Sequence, residues 1–576
     1  MKKNIFTLII VYFSILIFNS CEDFIDLSPL DKLSINDYWK TTSDLENYML
    51  QFYPGMPLFH SWYPGDADDL FYGNTSPNST LNGERTLRTG SWTGEWSSIR
   101  AVNIFFENYE KCQDPFETYQ HYVGEAHFFR AALYFEKVKT YGDVPWYSEV
   151  LEIDSSEGLL RPRDSRTLVI DNILSDLDKA AIYLDYRKDR GNNYLTKEAA
   201  LAFKTRVALF EGTWQKYHAN TPFGTQGANP NKYFQECIEA AEELMNGDYK
   251  VGIYSTGNPN EDYFKLFGFD DMSNIDEVIL YKAFNGSEGF GTTTQTYVTR
   301  EHRGKGATWE FITQYLSKDG LLYDYGQLAQ TTKGNDFLTK IANDCDPRLR
   351  QSIWIPGDLM AATGSSLLGN YFDKPSINLG SNYLCPTGFS IKKTANPYSP
   401  AAGQEWDVPS ETGHILIRYA EVLLNYAEAK YELDNSVSYE QLNLLRYRAG
   451  LPDFFVHSQL GDIHCVDYGY TISDELYEIR RERSVELAFE HFRSLDYRRW
   501  AAHTLFKGKR PKGYPFNEEE FPDFNALIDD NGLIDFFKNI LPNGYQFREN
   551  QDYLTSIPQG ELTLNPNLTQ NPGWGN

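Results

Sequence analysis

The most constraining feature of this chain is a helical face too wide for a helix that stands alone. It is clearest in Gly124–Tyr147, GEAHFFRAALYFEKVKTYGDVPWY. Phe128, Ala131, Ala132, Phe135 and Val138 recur at spacings of three and four, so they share one face. Phe129 and Leu133 widen that face, which suits a helix covered on two sides. Gly142 and Pro145 then stop it, because glycine tolerates positive φ and proline cannot continue the hydrogen-bond ladder.

The pattern recurs. Val169, Ile173, Leu177 and Leu184 line one helix; Phe203, Val207, Phe210 and Trp214 the next; Phe234, Ile238, Ala241 and Met245 a third. Far downstream, Leu416, Tyr419, Leu423, Tyr426 and Leu433 form another, as do Val485, Ala488, Phe489 and Phe492. Stacked helix pairs would bury all of these faces, which is the physics of a helical-repeat array. The spacing departs from a strict tetratricopeptide period, so the expected fold is mainly α, a divergent array interrupted by long loops.

Residues 1–20 read as a secretory signal. Lys2 and Lys3 form its charged start, and Ile5–Phe18 is too short for a comfortable membrane span. Ser20-Cys21 resembles a bacterial lipobox, so Cys21 is the expected lipidation site. Only Phe18 and Asn19 depart from the usual residues. Six cysteines lie far apart with no C-x-x-C, and losing one to a lipid leaves an odd number.

Helix caps at Ser34–Asp37 precede a helix over Tyr38–Tyr53, and Trp96–Tyr109 returns to helix. Between them, residues 54–95 are broken by glycine and proline. Further irregular stretches cover 284–306 and 356–413. Helices are expected again over 414–433, 439–449 and 473–500. Long loops inside a compact domain are usually functional.

A formal charge of −27 argues against nucleic acid, whose phosphates demand lysine and arginine. The chain has no G-x-S-x-G, H-E-x-x-H, P-loop or G-x-G-x-x-G, and its ten histidines show no metal-ligand spacing. Asp529-Asp530-Asn531-Gly532 lacks the length and distal glutamate of a calcium loop and reads as a polar turn. Asp66, Asp68 and Asp69 would suit a glycosidase pair only at a catalytic separation, and solvated loop charges are the simpler reading. No catalytic residue, metal or cofactor is therefore assigned.

In order along the chain, SCEDFIDLSP from Ser20, FRAALYFEKVKTYGDVP from Phe129, LIRYAEVLLNYAEA from Leu416, LNLLRYRAGLP from Leu442, IRRERSVELAFEHFRSLDYRRW from Ile479 and IPQGELTLNPNLTQNPGW from Ile557 resemble the SusD/RagB-like outer-membrane lipoproteins. The resemblance spans nearly the whole mature chain. It implies one domain over 21–576. Four tetratricopeptide-like helix pairs (about 34–55, 96–252 and 413–504) would carry a loop-rich ligand-binding lobe (about 255–412 and 505–576). It implies a surface-exposed protein, lipid-anchored in the outer membrane, that binds oligosaccharides without catalysis and partners a SusC-like TonB-dependent transporter. It implies scaffold roles for Trp96, Arg130, Glu428 and Arg483.

Ligand residues in such proteins sit in variable loops, so they must be read from chemistry. A sugar offers an apolar C–H face to an aromatic ring and a hydroxyl rim to Asp, Asn and Arg. Residues 54–95 hold both ingredients. Trp62, Tyr63, Asp66, Asp68, Tyr72, Arg85 and Trp92 are the candidates, with Tyr297 from the middle loop. The alternative for each is a loop anchor packed on the scaffold. A peptide ligand and a scaffold with protein partners alone are the competing readings.

Overall fold

A computed structural model describes residues 38–58, 65–73, 76–151, 156–300, 302–362, 369–404 and 408–575. The signal, Cys21, Trp62 and Tyr63 lie outside these residues.

The scaffold helices are α1 (Thr42–Leu50), α2 (Thr93–Asn108), α3 (Phe116–Tyr141), α4 (Arg166–Tyr183), α5 (Lys197–Tyr217) and α6 (Pro230–Asn246), then α7 (Tyr419–Asp434), α8 (Tyr439–Arg448), α9 (Asp474–Glu486) and α10 (Phe492–Arg499). Their starts are written locally. Thr41 and Asp44 form a capping box on α1, Ser165, Thr196 and Ser473 cap α4, α5 and α9, and Pro230 opens α6. Gly142 ends α3 at φ 73, and a Cβ there would stand 2.8 Å from Leu554.

Each helix packs on the next in line: α3 on α4, α4 on α5, α5 on α6. The line then jumps in sequence, because α7 packs directly on α6 and α5. The wide faces explain this. Phe128, Phe135, Phe203, Phe210 and Trp214 are all buried in one core that also takes in Leu423, Leu424 and Ile479. Burying each such side chain contributes about 1.5–3 kcal/mol. The mainly helical architecture expected from the periodicity is the one observed.

Charged groups also cross the core, several of them in pairs or nets. Arg130 grips Asp176 through Nε and Nη2 at 2.7 and 2.8 Å. Arg499 donates to both oxygens of Glu428, and Arg483 pairs with Asp496. Burial raises the Glu428 pKa, but the charges of Arg499, Arg483 and Arg480 outweigh it and hold the group down to about 2.

Residues between α6 and α7 build the lobe. Its core joins Phe311, Phe337, Trp354 and Phe389 to Tyr514, and takes Val485, Ala488 and Phe489 from the end of α9 and the segment after it. Strand β2 (Val278–Lys282) pairs antiparallel with β4 (His414–Arg418). Leu416 therefore belongs to a strand, and the expected helix begins three residues later at Tyr419. The C-terminal tail leaves the lobe and returns to the scaffold: Thr555 N donates to Thr140 O, and Arg163 to Asn571. Asp529 Oδ1 accepts from the amides of Asn531 and Leu533, a polar turn. Among the described residues the cysteines are free thiols.

The expected helix 473–500 is broken. Phe489 and His491 adopt φ 61 and 69, the left-handed region that costs a non-glycine residue about 1–3 kcal/mol. Tertiary contacts hold the break. Glu490 bonds Arg418 at 2.7 and 2.8 Å and Lys393 at 2.6 Å, while Arg493 bonds Asp68.

Candidate functional site

The early loop and the middle loop meet in a two-stranded ribbon. Strand β1 (Leu70–Tyr72) pairs antiparallel with β3 (Lys305–Ala307), setting Tyr72 opposite Lys305. Below it, Thr308 donates to the carbonyls of Asp68 and Asp69. Burial, reinforced by the neighbouring Asp68 charge, pushes the Asp69 carboxyl up to about 7. Gly65 lies against this ribbon. At φ 61 its missing Cβ would fall 2.3 Å from the Cβ of Tyr72, so no other residue fits.

Three tyrosines gather here, each with a cation on its ring. Lys305 Nζ lies 5.1 Å from the ring centre of Tyr72, Arg303 lies 4.2 Å over Tyr297, and Arg300 lies 5.2 Å over Tyr383. Arg300 also donates to the Tyr383 hydroxyl at 3.3 Å. Tyr72 is 45% exposed, and Tyr297 and Tyr383 are half-buried. The backbone joins the three. Gly73 N donates to Gly304 O, Arg303 N to Asn382 O and Gly304 N to Leu384 O. Arg303 sits at φ 47, a strained conformation of the kind that clusters where function demands it. Burial, then the Arg303 charge, lowers the Lys305 ammonium to about 7. Arg300 and Lys305 are buried against their rings and Arg303 is half-buried, so the outer edges of the tyrosines are what a ligand with an apolar face can meet.

The candidates therefore divide. Tyr72 and Tyr297 come together on this surface. Asp66 is half-buried, with Arg498 3.8 Å away, on a 260 Å³ cavity between scaffold and lobe. Asp68 is buried and bonds Arg493 bidentately at 2.7 and 2.8 Å. Arg85 is committed to the tail, where it bonds Asp552, Leu554 and Thr555 beside the Trp574 ring. Trp92 is 5% exposed and packs on Trp96 and Tyr141. For these last three the structure gives the anchoring contacts of the alternative reading. Sequence reasoning missed Tyr383 and the cations. The signal was present: Arg300, Arg303 and Lys305 crowd six residues of a chain whose net charge is −27.

Among the described residues, no group of three metal-ligating side chains is present, and no helix is long and apolar enough to cross a membrane.

Comparison with known proteins adds the lineage. Over its full length the chain is 24% identical to SusD-like protein P2 of Formosa agariphila, all of which it covers. A second relative from that organism, SusD-like protein P38, is 26% identical over 236 residues, 38% of this chain and 44% of that one. The fold matches a SusD-like protein of Bacteroides fragilis with a TM-score of 0.69 at 22% identity, covering 95% of this chain and 100% of that one. It also matches a SusD-like carbohydrate-binding protein of that species (TM-score 0.67, 20% identity, 92% and 99% covered). A family model described as starch-binding associating with outer membrane matches residues 67–209. The SusD family model matches residues 215–574, more than half of the chain and everything from the end of α5 through the lobe to the tail, so the chain belongs to the SusD family.

Proposed function

We propose that this protein is a surface-exposed lipoprotein, anchored in the outer membrane through Cys21, that binds oligosaccharide without catalysis and delivers it to a SusC-like TonB-dependent transporter. The observation that carries the proposal is that Tyr72, Tyr297 and Tyr383, none of them fully buried, each lie against a cation of one short stretch, Lys305, Arg303 and Arg300. Trp62 and Tyr63 precede Gly65 in sequence and are proposed as further ligand residues. The match to a family described as starch-binding and associating with the outer membrane, and to a carbohydrate-binding protein of the same fold, supports this ligand class. A peptide ligand adding a strand would need a free edge. On the β3 side of the ribbon that edge is engaged at Ala307, whose N donates to Phe389 O, so a strand would have to add to β1.

Purified protein run through native gels containing single polysaccharides tests the binding. The wild type should be retarded by its cognate glycan. Tyr72→Ala and Tyr297→Ala should each weaken binding about 5- to 150-fold, the equivalent of about 1–3 kcal/mol for one ring. Unchanged retardation in both variants would reject this surface. For the anchor, Cys21→Ala should release the protein from membranes.

A further inference from the structure

A second cleft opens in the lobe, and two of its lining residues, Asn396 and Trp354, bond the helix Thr294–Thr299 that carries Tyr297. Its volume is 780 Å³. At its mouth Tyr398 is 75% exposed, an unusual state for a tyrosine on so rigid a support. Its amide donates to Asn396 Oδ1. Asn396 is itself buried: its Nδ2 donates to Asp270 and Thr412, and its backbone N to Gln295 Oε1 at 2.6 Å. These bonds hold the backbone that carries Tyr398, so its exposed ring starts from a fixed point at the cleft.

The opposite wall is Phe264, half-buried beneath Lys392, whose ammonium lies 5.1 Å from the ring centre and 2.6 Å from Asp358. Asn343 and Arg350 edge the cleft, both exposed. An exposed ring and, in the same cleft, an exposed amide and a guanidinium 3.5 Å from Asp358 supply what a sugar needs: a ring for the C–H face and planar donors for the hydroxyls. The volume falls within the range of small-ligand sites.

We propose that this cleft is a second carbohydrate-binding site, with Tyr398 as the stacking ring and Asn343 and Arg350 as hydroxyl partners. The inference rests on the glycan reading of the protein. Both surfaces share one support. Gln295 holds the Tyr398 turn, and Val298 O accepts from the indole of Trp354, which lines the cleft, at 2.8 Å. Tyr297 lies between them in sequence. Two linked sites raise the affinity for long chains beyond that of either alone.

The test uses full-length protein in native gels containing amylopectin, arabinoxylan, pectin or laminarin. It compares the wild type, Tyr398→Ala/Asn343→Ala and Tyr72→Ala/Tyr297→Ala. Tyr398 and Asn343 are exposed, so their removal should leave the melting temperature unchanged. With the polysaccharide that retards the wild type, the Tyr398/Asn343 variant should lose about tenfold or more in apparent affinity. Retention equal to the wild type in that variant, with retention lost in the Tyr72/Tyr297 variant, would overturn the second site and leave the proposed function standing. Loss only in the Tyr398/Asn343 variant would support the cleft and reject the ribbon surface. No retardation by any of the four would overturn both.

Discussion

Arg493 and Asp68 stand 425 residues apart in sequence and meet as a bidentate pair, Nε to Oδ1 at 2.7 Å and Nη2 to Oδ2 at 2.8 Å. Both side chains are buried. The pair clamps the foot of β1 to the first turn of α10. Removing one partner leaves the other as an uncompensated buried charge. Arg493→Ala should therefore destabilise the fold by about 3–5 kcal/mol. Denaturant unfolding of Arg493→Ala, Asp68→Ala and the double variant measures this. The double variant should lose far less than the sum of the singles, and strict additivity would contradict the pair.

Trp92 and Tyr72 should behave oppositely. Trp92 fills the core between Trp96 and Tyr141, so Trp92→Ala should lower stability by about 3–5 kcal/mol and leave the affinity of the folded protein unchanged. Tyr72 is 45% exposed, so Tyr72→Ala should keep the melting temperature and lose affinity. Thermal melting alongside titration calorimetry separates the two. A Trp92→Ala protein that melts normally but binds weakly would return that ring to the ligand surface.

His218 should contribute a loss of stability as pH drops below about 6.5, against the opposite trend of the Asp69 and Glu310 carboxyls, which burial pushes up to about 7. His218 is buried, stacked 4.0 Å from Trp214, and burial lowers its pKa to about 3. Its Nε2 lies 2.7 Å from Arg498 O and donates to it in the neutral ring. The unfolded chain takes up this proton near pH 6.5 and the folded chain does not until about 3. The contribution is therefore full above 6.5 and lost on acidification, at about 1.4 kcal/mol per pH unit for one proton. Glu428, held to about 2, adds a second loss that starts only below its unfolded value near 4.5. Melting curves of the wild type and His218→Gln from pH 7 to 4 isolate the His218 contribution: relative to its own stability at pH 7, the wild type should lose more than the variant between 6.5 and 5. An unchanged slope in that variant would assign the effect elsewhere.

Residues 410–576 should not fold alone. Their helices meet the early ones through Arg206–Glu421, Arg499–Thr213 and His218–Arg498 contacts. An isolated fragment should show little cooperative melting and should elute as an expanded or aggregated species. A compact monomer with a sharp transition would establish two folding units.

Most of the scaffold was legible because helical periodicity is a local property. Phe128, Phe203 and Phe234 announce their faces without reference to anything distant. What was not legible depends on remote partners. No glycine or proline marks the break at Phe489 and His491; it is held by Glu490 between Arg418 and Lys393. Leu416 continues a helical pattern, yet pairing with β2 draws it into a strand. At the candidate site, Tyr72 and Tyr297 were legible as loop rings. The cations stood in the sequence as a basic cluster that went unread, whereas Tyr383 was not legible, because only the bonds of Arg303 and Gly304 to Asn382 and Leu384 bring its loop there. Asp68, Arg85 and Trp92 are polar or aromatic in the same loop and differ from Tyr72 only in what packs against them.

The direct contact of α6 with α7 also orders events in time. A chain emerging from its N-terminus completes α6 long before Tyr419 appears. Until then the face that α7 will cover is bare, and so is the side of α5 that receives α10. Closing the array requires a loop of the whole lobe, a slow, high-contact-order step during which apolar surface stays open to other chains. The faces that make the finished scaffold one body thus leave the unfinished one sticky, and a holding chaperone has most to do while the lobe is still arriving.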